Sequence, residues 1–483
     1  MINLDAKRCA KNLMCAALAL ASSMSICAQT DAQADNSAQV WRVTSRLGYG
    51  PTPATVRTAA PNPKAWAVSQ VEAAHAASLR APAIATDAAR FNQSLQATIK
   101  DFQAEREERK NVKAPAVGEL IMPNKRSDEA RDPLNFSREM TQSINAWRLA
   151  SCSDPAVENP LLARMTEFWF NHLNVFNGKD AVRPFVGHYV VNVIRANALG
   201  RFEDLLLASA RHPAMLYYLD QAQSNVRGLN ENYARELMEL HTLGVNAGYT
   251  QTDVRELARI LSGWTTGWQQ GEGFRFAERL HDAGDKTLLG QRFTSGGVRE
   301  GEDAIRMLAR HPATAVRIAT RLATTFVSDQ PPQALIDQLA ATFTHTDGDI
   351  RAVMQTLVGS PEFWRADNTL FKTPLDFACS ALAAGSWARD RRDIQLTLNF
   401  LAQAGQSLHG WQTPDGYKTD AATWLAPEAL TRRADYAMSL GDRMLEPTYL
   451  QPFFSYASVE RIAREQPASR AGLMLASPDF MRK

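Results

Sequence analysis

The sequence predicts a mainly α-helical globular protein, and three observations carry that prediction. Apolar residues recur at spacings of three and four along much of the chain. Helix starts are written as a polar cap followed by Pro, as in Ser360-Pro361 and Ser477-Pro478. Strand-like alternation is confined to a short stretch around Phe274 and Phe276.

The clearest helix runs from Pro160 to Phe176. Leu161, Met165, Phe168, His172 and Val175 form one stripe, and Leu162, Trp169, Leu173 and Phe176 widen it. Thr250 opens a second helix, with Asp253 completing a variant capping box and Val254, Leu257, Leu261 and Trp264 on one side. Arg211-His212-Pro213-Ala214 recurs as Arg310-His311-Pro312-Ala313, and each reads as a helix start with Pro in the first turn. These echoes lack the fixed short period of a repeat array.

Three stretches interrupt the pattern. Asn111 to Ser127 carries Pro115 and Pro123, Trp268 to Glu300 is rich in Gly, and Gly405 to Pro427 contains the turn Pro414-Asp415-Gly416-Tyr417. Long irregular loops in a compact protein are often functional. The organisation expected is an N-terminal helical lobe over 36–267, a strand-containing insertion over 268–300, its strands near 270–295, and a C-terminal helical lobe over 301–483.

Composition limits the function classes. The 45% hydrophobic and 22% charged content of the 483 residues is that of an ordinary globular protein. A net charge of +2, with charge runs that alternate in sign, gives no basic footprint for nucleic acid. The first residues have the build of an export leader. Lys7, Arg8 and Lys11 precede an apolar run from Leu13 to Ile26, and small residues follow at Ala28 and at Ala32-Gln33-Ala34. The expectation is an exported protein, periplasmic or extracellular, with residues 1–28 removed, or cleavage as late as 34. Lipidation at Cys27 is disfavoured by the bulky Ile26 before it. No later apolar run has spanning length, so no transmembrane segment is expected in the mature chain. Cys9, Cys15 and Cys27 fall in the leader, leaving Cys152 and Cys379, whose pairing the sequence leaves open.

The run Asn230-Glu231-Asn232-Tyr233-Ala234-Arg235-Glu236-Leu237-Met238-Glu239-Leu240-His241-Thr242-Leu243-Gly244-Val245 resembles the hallmark of a bacterial exported family catalogued as domain of unknown function 1800. Leu47-Gly48-Tyr49-Gly50-Pro51, Phe168-Trp169-Phe170-Asn171-His172, His281-Asp282, Arg310-His311-Pro312 and Ser477-Pro478-Asp479-Phe480 extend the likeness in order along the chain. Two departures are Ala283, where the family pattern has Pro, and Phe170, where it has His beside His172. The resemblance implies export, a helix-rich fold and, by gene neighbourhood, a sulfatase-like exported partner. It implies no activity and carries over no catalytic residue.

Familiar catalytic signatures are absent: no His-Glu-x-x-His, no phosphate-binding Gly loop, no Gly-x-Ser-x-Gly elbow. What stands out is the 230–243 helix. Glu231, Arg235 and Glu239 share one face as alternating charges, Asn232, Glu236 and Glu239 form a neighbouring row, and His241 turns toward the apolar side. The candidate catalytic residues are therefore His172, Glu236, Glu239, His241, His281 and Asp282. The candidate metal ligands among them are His172, Glu239 and His281, for a divalent ion. An ion-paired structural helix accounts for the same residues, because such networks also gather polar groups. Trp411, Tyr417 and Trp424 suit stacking on sugar rings or on a protein partner, and equally suit pinning the long loop to the helices. The function expected is an exported envelope scaffold or binding protein without catalysis. The alternative is a metal-assisted hydrolase with its site between the 160–176 and 230–243 helices. N-terminal sequencing of the protein from its own host should find the mature chain beginning shortly after Ala28 or Ala34; an intact Met1 would refute the leader.

Overall fold

Capping chemistry places the helices. A computed structural model describes residues 33–111, 135–179, 181–385 and 390–483. The expected leader, and nearly all of the irregular stretch from Asn111 to Ser127, lie outside the described residues. Thr250 caps the helix Gln251–Leu261 and forms a capping box with Asp253, as the sequence predicts. His212 and His311 cap the helices Pro213–Tyr218 and Pro312–Phe326. Each ring accepts at Nδ1 from the backbone two residues on, with Pro next to the cap. The fold is mainly α, with two small two-stranded sheets among the described residues.

The strands are antiparallel hairpins. Trp264–Gly267 pairs with Glu272–Phe276, so the insertion's sheet begins four residues before the expected boundary at 268. Lys286–Leu288 pairs with Gln291–Phe293. Its turn residues, Leu289 and Gly290, both have positive φ, as a two-residue turn between right-twisting strands requires.

The described residues form two apolar cores. The first runs from Val40 to Phe363 and draws on helices from both sides of the 268–300 stretch, so it does not divide there. The second joins Leu375 to Met481 with Tyr49, Leu149 and Ala163 from the first half. The helix Pro160–His172 lies between them and is buried almost all round. It ends at His172, four residues earlier than the apolar stripe suggests. Beyond it, Asn174 turns its amide to the carbonyls of Trp411 and Thr413, serving the long loop instead of another helical turn.

Cys152 and Cys379 are bonded, with Cα atoms 5.6 Å apart. The bond ties the helix Phe136–Ser153 to the helix Pro374–Ala384 and closes a loop of 227 residues. Replacing both cysteines by Ala should cost about 2–5 kcal/mol of stability, read as a lower urea midpoint than the oxidised protein shows. An unchanged midpoint would mean that the two helices need no covalent tie.

Candidate functional site

The hallmark segment folds in two parts. Asn232–Glu236 is α-helical, and Leu237–His241 widens into a π-helix, a form found mostly as short bulges and frequently at functional sites. The π turn brings His241 onto the C-terminal end of the Pro160–His172 helix. His172 Nε2 donates to the His241 carbonyl at 2.9 Å, and the two rings lie 6.4 Å apart. Both side chains are buried, and His172 Nδ1 and His241 Nε2 have no hydrogen-bond partner among the described residues. Burial lowers both rings well below the usual imidazole range, His241 to about 3, and the charges of Arg317 and Arg321 add to the effect. The two imidazoles are therefore neutral.

The other candidates separate. Glu239 faces Arg235 at 3.7 Å and bonds Tyr249. Glu236 is half-buried and its carboxylate forms no ion pair or hydrogen bond among the described residues. Burial, then the charges of Glu239 and Asp415, push it up. His281 turns Nδ1 to the Ser262 carbonyl at 2.9 Å and Nε2 to Glu300 at 3.2 Å. Asp282 is held by Arg259 at 2.8 Å and accepts from the Gly284 amide. Lys286, wholly buried, pairs with Glu300 at 2.9 Å. These contacts clasp the insertion onto the helices Gln251–Leu261 and Val298–Arg310. The expected ligand trio of His172, Glu239 and His281 is thus not gathered: each has its own neighbours. Among the described residues no group of three or more His, Cys, Asp or Glu is arranged to hold a metal ion.

His188 and His409, to which the sequence assigns no partners, have them. His212 accepts at Nδ1, so its Nε2 carries the proton and donates to His188 Nδ1 at 3.1 Å. His409 donates from Nδ1 to Asn145 at 3.0 Å and accepts at Nε2 from Arg148 at 3.3 Å. These partners stand 264 and 261 residues away, beyond any spacing rule.

A cleft of about 250 Å³ opens beside the 160–172 helix. Arg164, Glu167, Phe168 and Asn171 face it, at the spacing of one helix side. Its floor is charged and buried: Asp376 lies between Arg164 and Lys483. Burial alone would push the Asp376 carboxyl up, but the two cations overcome it and hold it well below the usual range. Burial brings the Lys483 ammonium down to about 8 against the pull of Asp376. Glu167 pairs with Arg148.

The Gly405–Pro427 loop forms one wall. Asn171 grips it with both ends of its amide, accepting from the Tyr417 backbone N–H at 2.7 Å and donating to the Tyr417 carbonyl at 2.9 Å. Gly416 has φ +72°, and a Cβ there would stand 2.0 Å from the Asn171 carbonyl oxygen, so only Gly fits. The loop's aromatics serve the loop itself. Trp411 donates to Asp415, Trp424 to the Lys418 carbonyl, and Tyr417 to the Ser407 carbonyl.

The opposite wall is the helix Pro312–Phe326, which presents Arg321, Thr324 and Thr325. Arg321 was not among the sequence candidates. Its guanidinium makes no hydrogen bond or ion pair among the described residues. Burial and the nearby Arg317 lower it to about 10, opposed by Asp415. A signal did exist: Arg317 and Arg321 stand one turn apart, and no acidic residue occurs between Asp303 and Asp329.

The model of the family described as "Protein of unknown function (DUF1800)" matches residues 42–482. The chain belongs to this family. No curated protein and no solved structure matches it. The family match takes in the hallmark segment, both arginines, and Arg164 and Asp376 of the cleft floor, stopping one residue before Lys483.

Neutral buried histidines make the fold acid-sensitive. The unfolded chain takes up a proton on His241 below about pH 6.5, while the folded ring stays neutral down to about 3. Between those limits the unfolded state binds more protons, so stability falls as pH falls, by about 1.4 kcal/mol per pH unit for one such histidine. The urea midpoint should drop steadily from pH 6.5 to 4, and His241→Gln should flatten the slope. A variant with the slope of the natural protein would refute the assignment.

Proposed function

We propose that the protein is an exported, non-catalytic binding or scaffold protein of the cell envelope, and that the cleft is its recognition surface. One observation carries the reading. Arg321 lines the cleft with no hydrogen-bond or ion-pair partner among the described residues, while the cleft's other charges are engaged: Arg164 and Lys483 by Asp376, Glu167 by Arg148, Lys418 by Asp415, and Asp329 and Asp420 by the backbone of Ala421 and Thr423. A site for proton transfer needs a free group poised near the working pH and within reach of substrate. The histidines nearest the arginines are buried and neutral, and the Lys483 ammonium, though lowered to about 8, is held by Asp376. The Cys152–Cys379 bond supports export, because disulfides persist in oxidising compartments. Family resemblance adds an exported sulfatase-like protein as a candidate partner.

One observation favours the metal-assisted hydrolase as a second reading. His172 Nδ1 and His241 Nε2 are buried lone positions that a divalent ion could occupy. One measurement separates the two. The protein is purified from its host envelope without denaturation, and its native mass and metal content are determined. The binding reading expects a stoichiometric non-metal adduct that Thr325→Trp, filling the cleft, removes. A stoichiometric metal lost in His172→Ala would establish the second reading instead; no adduct of either kind would refute both.

A further inference from the structure

Arg317 and Arg321 form a like-charged pair at i and i+4 on one helix, an arrangement that weakens a helix. Both are half-buried. Neither guanidinium reaches a carboxylate in an ion pair among the described residues. Buried charge is normally paired, because removing it from water is costly.

The fold nonetheless holds the pair in place. Arg317 donates from Nε to the Leu240 carbonyl at 3.0 Å. Gly244, at φ +94°, lets the chain pass where a Cβ would stand 3.2 Å from Arg317 Nη1. The hallmark segment thus builds the seat of Arg317, close enough to Arg321 for its charge to act on it. His172 and His241 are neutral and offset nothing. Arg321 alone of the two lines the cleft.

We propose that Arg321 is the anion-binding residue of this cleft and takes the carboxylate of a small polar ligand. The proposal rests on the cleft being a recognition surface. A guanidinium meets a carboxylate with two parallel hydrogen bonds, which suits a planar, singly charged group. Asp329, Asp415 and Asp420 line the same cleft and repel a doubly charged phosphate about twice as strongly as a singly charged carboxylate. Arg317, held off the cleft, raises the local potential without touching the ligand.

The test is thermal unfolding of the full mature chain in acetate, in its neutral isostere acetamide, and in phosphate, at constant ionic strength set with chloride. Acetate should raise Tm by about 1–3 °C at concentrations well above its Kd, and acetamide should not. Arg321→Gln should abolish that rise, and Arg321→Lys should keep part of it. In chloride alone Arg321→Gln should melt no lower than the natural protein, because it removes an unpaired charge. A variant that melts several degrees lower, or fails to fold, makes Arg321 a structural residue and overturns the proposal. So does a natural protein indifferent to acetate, a rise that survives in Arg321→Gln, or a phosphate effect at pH 8 equal to that of acetate. If acetate fails while the native adduct is present and lost in Thr325→Trp, the carboxylate assignment falls and the recognition cleft stands. If both fail, both fall.

Discussion

The carboxylate of Asp376 is the group around which the two cores are fitted. It is buried on the helix Pro374–Ala384, where Thr373 caps the first turn in a box with Asp376. Arg164 reaches it from the central helix and Lys483 from the strand-like end that bridges back to Phe371. Arg164 also donates to the carbonyls of Ser45 and Gly48, so one guanidinium fastens three parts of the chain. Removing one partner from such a cluster leaves a charge stranded in the interior, which is far costlier than the intact cluster is favourable. The cluster therefore acts less as a source of stability than as a constraint on arrangement. The cleft inherits its floor from it.

The fold was legible where its causes are local. Caps, Pro in first turns and apolar stripes act over a few residues, so Thr250, His212 and His311 announced their helices. The strand at Phe274 was legible for the same reason, while the hairpin turn at Leu289-Gly290 was not, because Leu rarely takes positive φ. The π-helical form of Leu237–His241 was hidden too. A sequence read at 3.6 residues per turn places Glu239 and His241 on faces that a widened turn then rotates.

The candidate site divided along the same line. The meeting of His172 with His241 followed from two polar rings on apolar faces, each in need of company. His281 and Asp282 satisfied their needs within the insertion, through Ser262, Glu300 and Arg259. Arg321 escaped notice because arginines on helices are usually solvated, and the acid-free stretch around it gains its meaning once the nearby carboxylates are found committed elsewhere. His409 escaped because Asn145 and Arg148 come from a distant part of the chain.

The bond between Cys152 and Cys379 turns most of the central chain into a closed ring, with both chain ends leaving from its junction. A protease that cuts once anywhere within that ring opens it without separating the pieces. Both halves stay joined, and the second core, which draws residues from each side of the junction, keeps all its members on one covalent object. The molecule can thus be nicked in the insertion or in the helices around it and still migrate as a single chain until it meets a reductant.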